Sequence, residues 1–293
     1  DTVWRIFKWN GSGYTENNFA LEQGEAYWII TQGSATMQSS SGESTPLLNG
    51  YGVNLGSGWN MVANPYNFNL SFSNLHYNDG DIEPVLYRYT GSGYTTTNTF
   101  TPGDGVWIYA NNSNRIDFKP LGGGSIQRTA AEELIWHGSV NVTSGDLMDE
   151  DNIFGVAIDA SSGWDALDRH EPPVIGDYIT LAFDNRDWES YGGLYSRDIQ
   201  TTGNEGHVWP LSVVTNRAGY ATLSVELPDE LPLGWELFLV DVAFDIVQNL
   251  STETEYEFVA NGSETPREFE LIAGPPGVTR EALDDLELTP SDY

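Results

Sequence analysis

One pattern of apolar and polar positions occurs twice in the first half of the chain. FKWNGSGYTENNFALEQGEAYWII at 7–30 returns as YRYTGSGYTTTNTFTPGDGVWIY at 87–109, with Tyr14 matching Tyr94. Each copy mixes apolar and polar positions, turns at Gly-Ser-Gly and returns on an apolar run, which predicts a hairpin-like β unit. A period of about 80 residues is too long for a solenoid and indicates a duplicated small β domain.

The two copies differ in what precedes them. GVNLGSGWNMVANPYNFNLSFSNL at 52–75 comes before the second copy and predicts a strand that ends at Asn64-Pro65. The first copy has almost nothing before it, because the sequence begins at Asp1. We therefore expect an incomplete first unit with an unpaired sheet edge or an open groove. The start at Asp1 indicates a piece of a longer product, and natural processing or an artificial truncation would both give it.

The rest of the chain also reads as short strands between Gly, Pro and Asp turns. The clearest is Tyr220–Leu227, whose alternation predicts one buried and one wet face. The predicted fold class is all-β: a duplicated small β module, then an immunoglobulin-like or jelly-roll-type antiparallel β-sandwich. The predicted boundaries are 1–120 for the duplicated domain (units about 1–48 and 49–120), 121–133 for a glycine-rich linker, 134–274 for the sandwich and 275–293 for an acidic tail.

The charge balance narrows the classes of partner. The chain has 12 Lys and Arg against 43 Asp and Glu, a net charge of −31. This balance disfavours nucleic acid and anionic membranes as partners and favours cations. Aromatic residues make up 13% of the chain, which is typical of a folded protein rather than a disordered one. No cysteine is present, and no apolar run is long enough to span a bilayer.

Carboxylates concentrate between residues 146 and 171, on both sides of the predicted strand IFGVAID. Oxygen ligands on two adjacent loops suit Ca²⁺, which takes six to eight oxygens at about 2.3–2.6 Å. The alternatives are a pair of solvated acidic loops and, less favoured, a glycosidase carboxylate pair. No zinc-protease, serine-hydrolase or phosphate-loop motif is present, so we expect no enzyme. The predicted ligands are Asp149, Asp151, Asn152, Asp165, Asp168 and Glu171.

The aromatic residues suggest sugar binding as another possibility, because flat rings stack on sugars. Trp28 and Trp107 recur at matching positions of the duplicated unit, which favours core packing for them. Trp164 and Trp188 are flanked by polar loop residues and are the better candidates for a polysaccharide platform.

Several of these motifs together resemble modules of large secreted Bacteroidota proteins, the cargo of the type IX secretion pathway. The duplicated unit is similar to their repeated β module, and GWDALDRHEPP (163–173) and PREFELIAG (266–274) resemble the sandwich that precedes their C-terminal sorting domain. The resemblance covers nearly the whole chain and implies an extracellular or cell-surface location, but no activity. Asp1-Thr2-Val3 also fits the short O-glycosylation pattern of that phylum, which makes Thr2 a candidate glycan site.

The sequence therefore predicts a non-catalytic extracellular structural protein, displayed on a surface or assembled head to tail into a fibre by strand exchange. Its expected partners are copies of itself or other surface proteins, and the candidate donor strand is the tail with Leu283, Leu286 and Leu288. The alternative is a pair of carbohydrate-binding modules from a large secreted hydrolase or adhesin.

Overall fold

The computed structural model describes residues 4–16, 20–34, 36, 44–78, 81–121, 134–202, 206–227 and 231–285. It divides into two compact units, one formed by 1–89 and 95–129 and the other by 90–94 and 130–293. More than half of the described residues lie in strands and very few in helices, so the prediction of an all-β protein is confirmed. None of the described helices has the length and apolar character needed to span a bilayer.

The described residues of the first unit form short strands and one turn of 3₁₀ helix, Phe72–Asn74. Its strands are β1 Trp4–Trp9, β2 Tyr14–Glu16, β3 Trp28–Thr31, β4 Tyr51–Leu55, β5 Gly58–Ala63, β6 Leu70–Ser71, β7 Leu75–His76, β8 Leu86–Tyr89, β9 Tyr94–Thr97, β10 Thr99–Phe100, β11 Gly105–Ala110 and β12 Asn114–Phe118.

The duplication is visible in the strand pairing. The first repeat forms a sheet of order β2-β1-β3, and the second forms β9-β8-β11 with β5 added beside β11. Even the register is repeated, because Phe7 pairs with Trp28 as Tyr87 pairs with Trp107. A third sheet, β4-β12-β7, and the pair β10-β6 complete the unit. The second repeat therefore contains strands for which the described part of the first repeat has no equivalent.

The second unit contains the remaining strands. They are β13 Leu134–Ser144, β14 Leu147–Ala157, β15 Arg169–His170, β16 Ile179–Asn185, β17 Gly193–Thr201, β18 His207–Thr215, β19 Ala218–Glu226, β20 Glu236–Asp241, β21 Ile246–Asn249, β22 Glu255–Asn261 and β23 Arg267–Gly274.

These strands form one nearly closed sheet. Its order is β21-β20-β23-β18-β16-β17-β14-β13-β19-β22, and β15 also pairs with β17. The two strands at its ends, β21 and β22, are consecutive in sequence, and the Gln248 side chain donates to the carbonyls of Glu253 (2.9 Å) and Glu255 (2.6 Å) across the seam. The sheet therefore curls round its own core.

One part of the sheet departs from the antiparallel sandwich that the sequence predicted. Strand β17 pairs with β16 through Gly193–Tyr195 and then runs parallel to β14 through Arg197–Thr201. Since Tyr195 and Arg197 also pair with β15 on the opposite side, β16 and β14 share one side of β17. The sheet therefore forks at β17, and polar groups meet at the fork.

Aromatic and aliphatic side chains from the inner face of the curled sheet form the core of the second unit. The predicted alternation of β19 is confirmed, because Ala221, Leu223 and Val225 are buried while Tyr220 is exposed. The segment predicted as an acidic tail begins as a helix, α1 Pro276–Asp285. Within α1, Leu283 packs against Val240, Val247 and Ile272.

Candidate functional site

A β-bulge decides which acidic side chains enter the sandwich. Asp149 pairs with Val142 and Asn152 pairs with Val140, so two residues of β14 lie opposite the single residue Asn141. The extra residue, Asp151, takes the left-handed conformation with φ 65°. A bulge shifts the alternation of a strand by one position. Asp149 and Asn152, which would face opposite sides of a regular strand, therefore both point inward.

Two carboxylates meet inside this bulge. The Leu181 amide donates to Asp149 Oδ2 (2.7 Å), and the Thr180 hydroxyl donates to Glu171 Oε1 (3.0 Å). Burial raises the pKa of Asp149 to about 7. Burial, together with the charge of Asp149, raises the pKa of Glu171 well above its usual range. We call Asp149, Asn152, Glu171 and Thr180 the bulge cluster.

A second group of acids lies along β17. Asp168 Oδ1 accepts from the Ile199 amide (3.0 Å), its Oδ2 accepts from the Asp165 amide (2.8 Å), and Asp198 Oδ2 accepts from the Asn185 side chain (2.8 Å). Burial raises the pKa of Asp168 to about 8 and the pKa of Asp198 to about 6. We call Asp168, Asp198 and Asn185 the fork cluster.

The fork explains why these acids are buried. Where β14 and β16 separate from each other along β17, backbone N–H groups lose the carbonyls that a continuous ladder would supply. An unpaired buried N–H is costly, and a side-chain oxygen can satisfy it. Asp149 accepts from β16 and Asp168 accepts from β17. Asp149 therefore completes the ladder at the fork, and Asp168 accepts from β17 just beyond the short pairing of β15 with Arg197.

The six predicted calcium ligands do not form one site. Asp149, Asn152 and Glu171 belong to the bulge cluster, and Asp168 belongs to the fork cluster. Asp165 accepts from the Ser161 and Leu167 amides (both 2.6 Å) and shapes its own loop, while Asp151 is exposed. Within the described ranges no three His, Cys, Asp or Glu side chains form a group arranged to hold a metal. The prediction placed residues 149–152 before a strand, whereas β14 already begins at Leu147.

The two predicted sugar-binding tryptophans lie close together. Trp164 stacks obliquely on Tyr191 with ring centroids 4.2 Å apart, and Trp188 packs on Tyr195 at 5.1 Å. The Tyr195 hydroxyl donates to the Tyr191 carbonyl, which links the two pairs. Both tryptophans are partly buried against the sandwich core, while Tyr191 is exposed.

Tyr191 was not among the predicted residues. Its φ of 61° is unusual for a bulky side chain, and such strain persists only where surrounding structure imposes it. The Gly192-Gly193 pair that follows it was the only hint in the sequence.

Of the two repeated tryptophans, Trp107 packs in the interior as the duplication predicted, whereas Trp28 is only half-buried. Trp107 is buried and contacts Trp9 (5.2 Å) and Trp59 (6.2 Å) edge to face, and Trp28 contacts Tyr89 (5.0 Å). Beside them, both repeats line a cleft of about 270 Å³. Its polar groups are occupied, since Lys8 pairs with Glu25 and the Asn60 amide donates to two carbonyls. This cleft is a weak candidate for a ligand site.

An apolar sheet edge is the most distinctive surface of the first unit. Strand β3 pairs with β1 on one side, and within the described residues no strand covers its other side over Trp28–Thr31. Only the approach to β3 is covered, where Glu25 bridges to Val62 of β5. At equivalent positions of the two repeats, Ile29 is 43% exposed and Ile108 is 0% exposed.

Comparison with protein-family models, curated proteins and solved structures finds no match to this chain. The resemblance to type IX secretion cargo therefore depends on the sequence motifs alone. The candidate glycan site at Thr2 lies outside the described residues.

Proposed function

We propose that this chain is a non-catalytic extracellular structural protein that assembles head to tail, with the open edge of β3 receiving a strand from a neighbouring copy. The observation that carries the proposal is the difference between the two repeats at this edge. In the second repeat, β5 pairs with β11 along its whole length, from Gly105–Ala63 to Ala110–Gly58. In the first repeat, the equivalent strand β3 exposes Ile29 and Ile30.

Two other sheet edges carry protection that β3 lacks. At the opposite edge of the same sheet, Arg5 and Glu16 form a two-pronged ion pair (2.9 and 2.8 Å). In the second unit, β22 presents Glu255 and Glu257, and Gln248 closes the seam. Charged side chains are a common protection of edge strands, and an apolar edge favours addition of another strand. The charge pattern therefore favours β3 as the edge that accepts a strand.

The donor differs from the one that the sequence suggested. Leu283 is 2% exposed within α1, so it is not available as part of an extended strand. Leu286 and Leu288 lie outside the described residues. In the second repeat, β5 covers the equivalent edge and its Val62 side chain is buried. We therefore expect the donor strand to resemble β5.

Ile29→Lys is expected to abolish self-association. A lysine at the open edge places a charge where the incoming strand would pack, which is how natural edges resist pairing. The measurement is sedimentation velocity over a concentration series, with negative-stain electron microscopy at the highest concentration. Wild type is expected to form a concentration-dependent series of species that ends in filaments.

Ile158→Lys is the matched control, because Ile158 is also exposed but lies in a turn of the second unit. It is expected to assemble as wild type does. Discrete wild-type monomers at high concentration would disprove the proposal. A species that stops at a dimer would show that the contact closes on itself and would contradict head-to-tail growth.

The paired rings of Trp164 and Tyr191 favour a second candidate function, polysaccharide binding. Because Trp164 supports the ring of Tyr191 from one side, Tyr191 can offer its other face to a sugar ring. Trp188 supports the same loop through Tyr195. This arrangement would suit an accessory module of a secreted hydrolase or adhesin.

If the second candidate is correct, Tyr191→Ala removes the retardation of the protein in affinity electrophoresis on a binding polysaccharide. Trp164→Ala should weaken it by removing the supporting ring. Tyr220→Ala, at an exposed tyrosine of β19, is the control and should leave retardation unchanged. If no polysaccharide in a broad panel retards wild type, the second candidate is wrong.

A further inference from the structure

The bulge cluster contains a polar side chain whose burial the protein alone does not explain. Asn152 is 0% exposed, yet among the described residues its amide oxygen has no hydrogen-bond partner, and its amide nitrogen has only the nearby Asp149 carboxylate, short of full hydrogen-bond geometry. Leaving buried polar groups unpaired costs about 1–3 kcal/mol each. Such a group in a native protein needs an explanation, and a bound water or ion that the protein chain does not supply is one of them.

The Asn152 side chain lies beside a buried carboxylate. It is close enough to the Asp149 carboxylate to offset part of the rise in the pKa of Asp149, and the Asp149 charge in turn acts on Glu171. The bulge at Asp151 is what brings the amide and the carboxylate to the same face. Two carboxylates and a carboxamide therefore converge at one point beside the fork.

The oxygens are only partly occupied by the protein. The Leu181 amide accounts for Asp149 Oδ2, and the Thr180 hydroxyl accounts for Glu171 Oε1. The second oxygen of each carboxylate and the Asn152 carbonyl supply further acceptors. Every potential ligand in the cluster is an oxygen.

We propose that the bulge cluster binds one hard divalent cation of the Ca²⁺ type through Asp149, Asn152 and Glu171, with the Thr180 hydroxyl orienting Glu171. Two carboxylates match the charge of the ion, and oxygen-only ligands suit Ca²⁺ rather than zinc or copper. The Asn152 oxygen gains a partner when the ion binds. The fork cluster and Asp151 take no part in this site.

Isothermal titration calorimetry of the full chain with CaCl₂ at near-physiological salt tests the proposal. Wild type is expected to bind one saturating equivalent of Ca²⁺, distinct from weak diffuse binding to the acidic surface. Its melting temperature should rise with Ca²⁺ and fall with EDTA. Glu171→Gln keeps an acceptor for Thr180 but removes one charge, so Ca²⁺ affinity should fall by about tenfold or more, because ligand charge sets the affinity of oxygen sites.

Two further variants separate the site from its surroundings. Glu150→Gln removes the same charge from an exposed neighbour of Asp149 and should bind Ca²⁺ as wild type does. Asn152→Leu fills the space with an apolar side chain of similar size, and it should fold and lose the saturating equivalent. Circular dichroism verifies folding. Wild type without saturating binding, or equal affinity in wild type and Glu171→Gln, would overturn the proposal and leave a buried water as the partner of Asn152.

Discussion

Trp209→Ala is expected to lower the free energy of unfolding of the second unit by about 3–5 kcal/mol, the usual cost of removing a large buried aromatic side chain. Trp209 is 0% exposed at the centre of the curled sheet. Its ring meets Phe154 at 5.2 Å and Trp136 at 5.9 Å, both edge to face, and stacks on His207 at 5.5 Å. Alanine would leave a cavity among rigid rings that cannot close over it. Urea denaturation followed by circular dichroism, with a transition fitted for each unit, measures the loss.

Two variants make this result specific. Trp209→Phe should cost less than alanine, because it keeps most of the apolar contact and removes an indole N–H that has no hydrogen-bond partner among the described residues. Tyr220→Ala removes an aromatic ring that is 72% exposed, so its effect should stay within about 0.5 kcal/mol. Similar losses in Trp209→Ala and Tyr220→Ala would show that Trp209 is not central to the core.

Local sequence patterns predict much of this fold because they depend on neighbouring residues alone. The alternation around Leu223 requires one wet and one buried face, and β19 has both. The repeated Gly-Ser-Gly turns predict equal hairpins, and the two repeats share the same pairing of Phe7–Trp28 and Tyr87–Trp107. The duplication also predicts that Trp107 packs inside, since a ring repeated at one position of a small β unit fills the same space twice.

The candidate sites were harder to predict, because they depend on how distant strands pair. The face on which Asn152 lies is decided by a bulge opposite Asn141, and nothing in the run DEDN specifies where the extra residue falls. The parallel course of β14 and β17 joins segments that are far apart in sequence. As a result the sequence grouped Asp149 with Asp168 because they are near each other along the chain, whereas the fork separates them into different clusters.

Asp198→Asn is expected to make the second unit more stable than wild type at pH 8 and nearly equal to it at pH 4. Burial raises the pKa of Asp198 to about 6. Burial also raises the pKa of Asp168 to about 8, and the charge of Asp198 contributes to that rise. A carboxyl whose pKa is higher in the folded than in the unfolded chain binds protons more tightly when folded. The stability that each of these carboxyls contributes is therefore present in full below its unfolded pKa near 3.8. It is lost as the pH rises through the folded pKa, which is about 6 for Asp198 and about 8 for Asp168.

The asparagine variant removes one of these titrations and weakens the other. Its side-chain oxygen can still accept from Asn185, so the hydrogen bond that Asp198 makes is kept. Asp168 then loses a like charge beside it, its pKa falls towards the ordinary value, and less stability is lost as the pH rises. The measurement is the melting temperature of variant and wild type from pH 4 to pH 8.

The difference between the two curves isolates the fork cluster from the other buried groups. His207 changes stability in the opposite direction, because burial lowers its pKa from 6.5 to about 4. The stability that neutral His207 contributes is therefore lost as the pH falls from 6.5 through about 4. That contribution is common to both proteins and cancels in the difference. Asp187→Asn, at an exposed residue of the same region, should give a curve parallel to that of wild type. If the Asp198→Asn curve is also parallel, the pKa of Asp198 is not raised on folding and its charge does not act on Asp168, so the pH-dependent account of the fork cluster is wrong.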